Sequence, residues 1–198
     1  MRTLIYLIVF VSISSCAQEK QPLLGDTEFQ KTINAEYKDA TTSPLKNKDR
    51  KVFRGLDFFK FDSIYSVKAY IKKTPNSKFF AMKTTTSRVS QERVYGVLSF
   101  IIKDKTYQLN VYKAKEAEEG YEDYLFLPFL DHTNGDTSYG GGRYIDLRIQ
   151  EGDSMVIDFN KAYNPYCAYN EKYSCPIVPR ENYLDVKIEA GVKKFKKH

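Results

Sequence analysis

Between two strand-like runs the chain places DHTNGDTSYGGGRYIDL, Asp131 to Leu147, where carboxylates, glycines, tyrosines and an arginine crowd together. Gly140, Gly141 and Gly142 permit positive φ or close backbone approach, and successive N–H groups in such a turn can form an anion-binding nest. Arg143 follows directly, and its planar guanidinium suits a carboxylate or phosphate. Two readings stand: the loop cradles a small polar or anionic ligand, or it is a glycine-rich turn with Arg143 paired to an internal aspartate. No Lys-Ser or Lys-Thr completes a Walker loop after these glycines, so nucleotide binding is not indicated.

Asp131, Asp136, Asp146 and Asp158 form the acidic set, and two carboxylates in different environments can divide acid and base roles. Their spacing does not show that they converge. His132 could serve as a base, but a lone histidine beside an aspartate in a loop reads first as exposed or hydrogen-bonded. A calcium hand is not matched, because Gly135 falls at position five of the loop and Gly142, not Glu, at position twelve. There is no Gly-x-Ser-x-Gly elbow. A thiol mechanism at Cys167 or Cys175 needs a lowered pKa and a base, neither visible in the sequence, and the pair is not a Cys-x-x-Cys redox motif. The only histidines are His132 and His198, so two thiolates lack the usual zinc partners, and neither metal nor cofactor is expected.

The first residues read as a targeting segment. Arg2 precedes the apolar run Leu4 to Val11, then Ser12-Ile13-Ser14-Ser15-Cys16, a pattern that resembles a bacterial lipoprotein signal with its lipobox. Residues 1–15 are expected to be the signal peptide, Cys16 the lipidated residue, and 16–26 an anchor and tether. The apolar run is far shorter than the roughly 20 residues of a membrane-spanning helix, so contact with the membrane is expected through lipid alone. Ala17 stands where many inner-membrane lipoproteins carry aspartate, which points to the cell envelope and the outer membrane, on its periplasmic or surface face. Export also makes a Cys167–Cys175 disulfide possible.

Thirty-one basic and 25 acidic residues give a net charge of +6, and loss of Arg2 with the leader leaves +5. Lys193, Lys194, Lys196 and Lys197 account for most of that, so 193–198 reads as a basic tail on a nearly neutral body. A nucleic-acid groove, which needs clustered Lys and Arg over one face, is not indicated.

These residues must be positioned by a scaffold. Thr27-Glu28-Phe29-Gln30 has the form of a capping box, and Phe29, Ile33 and Tyr37 follow at helical spacing, so one short helix is expected over 27–39. Residues 41–51 are polar and carry Pro44, a loop. Strands are expected near 56–61, 64–72, 79–85, 93–102, 106–113, 123–129, 143–149, 154–159 and 184–189, with a hairpin across KDKT. About nine short strands without βαβ spacing predict a mainly β fold: a single antiparallel β-barrel or β-sandwich domain over 27–192 with one short N-terminal helix. Nine of the 16 tyrosines fall between 121 and 183, as core packing or as a pocket lining.

YLFLPFLDHTNGDTSYGGGRYIDL, then DFNKAYNPYCAYNEKYSCPIVPRENYLDVKIEAG, resembles the bacterial and archaeal family called domain of unknown function 1684, and SPLKNKDRKVFRGLDFFKFD is similar to its amino-terminal part. The resemblance covers roughly 28–191. Its pattern falls on Asp131, Thr133, Gly135, Thr137, Tyr139, Gly140, Gly142, Arg143, Tyr144 and Asp146, then on Asp158, Asn160, Tyr163, Asn164, Pro165, Cys167, Cys175, Pro176, Pro179 and Asn182. Tyr166 stands where the family usually has a second proline, and His132 is outside the pattern. The resemblance implies that both cysteines belong to the module and that a disulfide is dispensable; it brings no known activity.

The expected function is therefore a lipid-anchored envelope protein that binds a small polar or anionic ligand. Its candidate site comprises Asp131, Thr133, Tyr139, Arg143, Tyr144, Asp146, Asp158, Asn160, Tyr163 and Asn164. Two alternatives are an envelope hydrolase or lyase with an Asp base beside Arg143, and a non-enzymatic envelope interaction protein.

Overall fold

A computed structural model describes residues 25–195. The leader, Cys16, most of the tether and residues 196–198 lie outside the described residues. Helix α1 (Glu28–Lys38) starts at the expected capping box: Thr27 Oγ1 accepts from Gln30 N at 3.3 Å, and Gln30 Oε1 accepts from Thr27 N at 3.4 Å. It stops where Asp39 turns extended and its carboxylate accepts from Thr41 N at 2.7 Å. Its inner face buries Gln30, Ile33, Asn34 and Tyr37, the last edge-on to Tyr169 at 5.0 Å.

The stretch expected as a loop over 41–51 instead contains a second helix, α2 (Asn47–Val52). Its sequence, NKDRKV, has no apolar periodicity. The Lys38 ammonium holds its C-terminal end by donating to the carbonyls of Arg50 at 3.1 Å and Phe53 at 2.8 Å, where a helix leaves carbonyls unpaired.

Eight strands follow: β1 (Ser66–Lys73), β2 (Phe80–Lys83), β3 (Val89–Ile102), β4 (Lys105–Ala114), β5 (Tyr124–Asp131), β6 (Arg143–Arg148), β7 (Ser154–Asp158) and β8 (Tyr183–Leu184). They form one sheet in the order β6-β5-β4-β3-β1-β7, with β2 on β3 and β8 on β5. Every pairing is antiparallel except β5 with β8. The mainly β fold class thus stands, as a curled half-barrel rather than a sandwich: β6 and β7 come into contact without a ladder closing the ring. The β3–β4 hairpin turns on Lys103 and Asp104, both at positive φ (48° and 63°), as a two-residue type I′ turn requires. A bulge at Val94/Gly96 lets β3 pass close to β1; a Cβ on Gly96 would lie 2.8 Å from Ile71 Cγ1.

The concave face carries the core: Val67, Ala69, Ile71, Leu98, Phe100, Leu109, Val111, Leu125, Leu127, Phe129, Ile145, Met155 and Ile157 alternate inward along six strands. Each fully buried Leu or Phe here contributes about 1.5–3 kcal/mol.

Two expected strands differ. Residues 56–61 form no strand, only the bridge between Phe58 and Val192. Of 184–189 only Leu184 pairs, in the two-residue β8, although Leu184 and Ile188 are buried and the alternation continues through buried Ala190 and Val192. The alternation is real, but much of this segment's backbone is bonded by side chains rather than by a neighbouring strand. Nor is the basic tail free from residue 193: Lys193 N donates to Asp57 O at 2.8 Å, Lys194 N to Thr137 O at 2.9 Å, and Phe195 packs on Tyr169 at 5.0 Å.

Candidate functional site

Arg143 begins β6 opposite Phe129, and its side chain points into the barrel, fully buried at 0% exposure. Its Nη2 donates to Asp131 Oδ2 at 2.7 Å and to Ile188 O at 2.7 Å, and its Nη1 donates to Ala190 O. The guanidinium carbon lies 5.2 Å from the Phe129 ring centre and 5.7 Å from that of Phe59. Burial pulls the guanidinium below its ordinary pKa, and Asp131 opposes that shift. Of the two readings of the glycine-arginine loop, the internal pair is the one formed.

The rest of the loop completes this clamp. Asp131 Oδ1 accepts from Thr133 N at 2.8 Å and Ile188 N at 3.2 Å; Thr133 Oγ1 meets Ser138 Oγ at 2.7 Å. Asn134 accepts from Asp131 N at 2.6 Å and donates to Tyr139 O at 3.0 Å. Gly142, at φ 89°, brings the backbone so close to β5 that a Cβ would sit 2.7 Å from Phe129 O. Its N–H is used inside the turn, on Tyr139 O at 3.2 Å, and is not offered to an anion. Asp131, Thr133 and Arg143, expected to bind ligand, are bonded to one another and to the Ile188 and Ala190 backbone inside the core. Asn182, another residue of the family pattern, acts similarly: it donates to Asn110 O at 2.8 Å and Pro128 O at 2.6 Å, joining β4 to β5 where proline offers no N–H.

Strand alternation sends the next motif residues the other way. Arg143 and Ile145 face the core, whereas Tyr144 and Asp146 face a cavity of about 540 Å³ under α1. Its walls are the inner face of α1 with Phe29, Ile33, Glu36 and Tyr37, the outer side of β6, and the 161–176 segment with Lys161, Tyr163, Tyr166, Tyr173 and Cys175. Tyr163 is set there by a backbone bridge to Tyr144, N to O at 2.9 and 3.0 Å in the two directions.

At the cavity wall the Tyr163 and Tyr124 hydroxyls both donate to Asp146 Oδ1, at 2.6 and 2.7 Å. Burial, then the Asp146 charge, raises both phenol pKa values, so both stay protonated donors. Among the described residues none bonds Oδ2, which is left able to accept. Tyr166 and Tyr173 stack edge to face at 5.3 Å on the same wall.

The other expected residues lie apart. Asp158 accepts from Asn160 N at 3.1 Å, and Asn160 clasps the Asp62 backbone, accepting from N at 3.1 Å and donating to O at 2.9 Å. They flank a smaller groove with Phe61 and Lys161. Asn164 is buried and donates to Lys193 O at 2.9 Å. His132 sits at the surface, 2.9 Å from Asp185.

Tyr139 belongs to the cysteines: its hydroxyl lies 3.9 Å from Cys167 Sγ. The possible Cys167–Cys175 disulfide is not formed; both are free cysteines, with Cys167 N donating to Cys175 Sγ at 3.1 Å. Of the ten expected ligand-binding residues, Tyr144, Asp146 and Tyr163 line the cavity together. Tyr124, Tyr166, Tyr173, Glu36 and Lys161 were missed, and only the density of tyrosines between 121 and 183 pointed toward some of them. Among the described residues no three His, Cys, Asp or Glu side chains gather as a metal site, and no helix is long and apolar enough to cross a membrane.

The family described as Protein of unknown function (DUF1684) matches residues 51–193. The chain is also similar to the solution structure of an uncharacterized protein of Haloarcula marismortui: 30% identity, 85% of this chain and 92% of that one covered, TM-score 0.68. No curated protein matches.

Proposed function

The chain belongs to the DUF1684 family, and we propose that it binds a small polar ligand in the cavity beneath α1, with Asp146 as its central hydrogen-bond acceptor. The observation that carries this is the pair of phenol hydroxyls on Asp146 Oδ1, which orients the carboxylate and leaves Oδ2 for a partner. Arg143, the cation that favoured an anionic ligand, is used up in the core. Asp146 and Glu36 outnumber Lys161 around the cavity, and Tyr166 and Tyr173 offer ring faces. That combination fits an uncharged polyhydroxyl compound such as a saccharide, which can lay a ring on tyrosine and donate hydroxyls to a carboxylate. The leader adds the location: an outer-membrane lipoprotein anchored through Cys16.

The test is a thermal-shift screen with mono- and disaccharides, polyamines, and phosphate and citrate as the anionic arm, each run on the wild type and Asp146→Asn. A native-state ligand at 100 times its Kd adds about 2.7 kcal/mol of stability. A saccharide shift lost in a folded Asp146→Asn protein supports the reading. A silent panel, or a shift that Asp146→Asn retains, overturns it. A second reading, an envelope interaction protein, is favoured by Tyr70, Ile101 and Val156, which are exposed on the convex face of the sheet.

A further inference from the structure

The two cysteines are held beside each other by separate parts of the fold. Cys167 lies in a 3₁₀ turn, Tyr166–Ala168, that follows Pro165. Cys175 belongs to a segment paired with the end of β2: Thr85 N donates to Cys175 O at 2.8 Å, Ile177 N to Lys83 O at 2.8 Å, and Cys175 N to Thr85 Oγ1 at 3.1 Å. The Cys167 N–H on Cys175 Sγ at 3.1 Å joins the two pieces. Cys167 is half-buried and Cys175 buried. The Tyr139 hydroxyl completes the cluster from the glycine loop, 3.9 Å from Cys167 Sγ.

This arrangement has the parts of a reactive thiol: a half-buried cysteine, hydrogen-bond donors around it, and a second thiol in reach. We propose that Cys167 and Cys175 form a redox-active dithiol, in which Cys167 is oxidised by a hydroperoxide and Cys175 resolves the product to a disulfide. The Cys167 thiolate attacks the terminal oxygen of ROOH. The O–O bond breaks, ROH leaves with a proton, and Cys167 becomes a sulfenic acid. The Cys175 thiol then attacks the Cys167 sulfur, the S–S bond forms, and the hydroxyl leaves as water with the Cys175 proton. The two electrons pass from the two thiols to the peroxide, and an external dithiol restores them by exchange.

The ionisation agrees with these roles. The hydrogen bond from Cys175, and further ones from Tyr139 and Thr85, pull the Cys167 thiol down to about 6 against the opposing effect of burial. Hydrogen bonding to Cys167, then burial, pushes Cys175 up, so the pair releases one proton early and keeps the other. Tyr139 is held up to about 12 by burial and by Cys167, so it remains a proton donor for the leaving oxygen.

The test treats the full-length reduced protein with hydrogen peroxide and maps tryptic peptides, which separate Cys167 (162–172), Cys175 (173–180) and Cys16. The expected result is a cross-link between peptides 162–172 and 173–180 that dithiothreitol removes. In Cys175→Ser, dimedone should label Cys167 as a sulfenic acid. In Cys167→Ser, peroxide should consume Cys175 about tenfold more slowly than it consumes Cys167 in the wild type. Should either variant misfold, the wild type alone decides: iodoacetamide alkylation of Cys167 has its midpoint near pH 6, against about 8.5 for an ordinary thiol. Intact thiols without the cross-link, a cross-link through Cys16, unchanged kinetics in Cys167→Ser, or an ordinary alkylation midpoint overturns the proposal.

Discussion

Asp131→Asn is the sharpest probe of the Arg143 clamp, because it keeps the side-chain shape and removes the charge together with one of the two accepting oxygens. Arg143 and Asp131 are both fully buried, 2.7 Å apart, and breaking a buried pair by neutralising one partner costs about 3–5 kcal/mol. The uncompensated guanidinium would still hold Ile188 O and Ala190 O, so the chain should fold but melt early. At about 2–4 °C per kcal/mol for a domain of this size, the loss corresponds to roughly 6–20 °C in Tm. Arg143→Met should cost more, because it strands those two carbonyls as well, each worth about 1–3 kcal/mol. The two substitutions together should cost less than their sum, by about 0.5–3 kcal/mol. With no tryptophan in the chain, far-UV circular dichroism or tyrosine fluorescence in a urea titration reads all four proteins. A Tm change within 2 °C for Asp131→Asn, or strict additivity in the cycle, would refute the clamp.

Three further outcomes follow from the geometry. Gly142→Ala, at φ 89° with its Cβ 2.6 Å from Val178 Cγ2, should lose about 2–4 kcal/mol, whereas Gly135→Ala, at φ 85° in open space, should lose about 1; equal losses in urea melts would contradict the close approach of the loop to β5. Burial, opposed by the Ser90 hydrogen bond, raises the Glu92 carboxyl above 4.5. The folded chain therefore holds that proton more tightly, a stability complete below pH 4.5 and lost as pH rises through the raised value. Glu92→Gln should accordingly gain on the wild type between pH 4.5 and 7, and a gap constant with pH would disprove the assignment. Tyr163→Phe removes one of the two donors on Asp146 and should cost about 1 kcal/mol in the same urea melts; no loss at all would mean that the phenol does not hold the carboxylate.

Much of the scaffold was legible in the chain. Thr27 and Gln30 announced the start of α1, because a capping box is satisfied within four residues. The β3–β4 hairpin was readable from KDKT between two strand-like runs, although the positive φ values of Lys103 and Asp104 were not. Helix α2 was hidden, since Lys38 supports its end from a different element. The segment 184–189 reads as a strand for the opposite reason: its alternation marks burial, but not which groups bond its backbone.

The site divides along the same line. The run RYID, 143–146, marked residues that matter, and the family resemblance carried the same positions. Strand alternation then placed Arg143 inside and Asp146 at the cavity. Nothing local said which face would be which, because the carbonyls that claim Arg143 come from residues 45 and 47 positions away. The same holds for Cys167, whose sulfur meets Tyr139 from 28 positions away and Cys175 from a segment fastened to β2. The sequence by itself determined the fold class, the first helix, most of the strands and the list of polar residues, since caps, turns and period-two burial are local. Only the tertiary structure decided which of those residues were spent in the core and which line the cavity under α1 or the thiol pair. Burial and hydrogen-bond satisfaction are settled by partners distant in the chain.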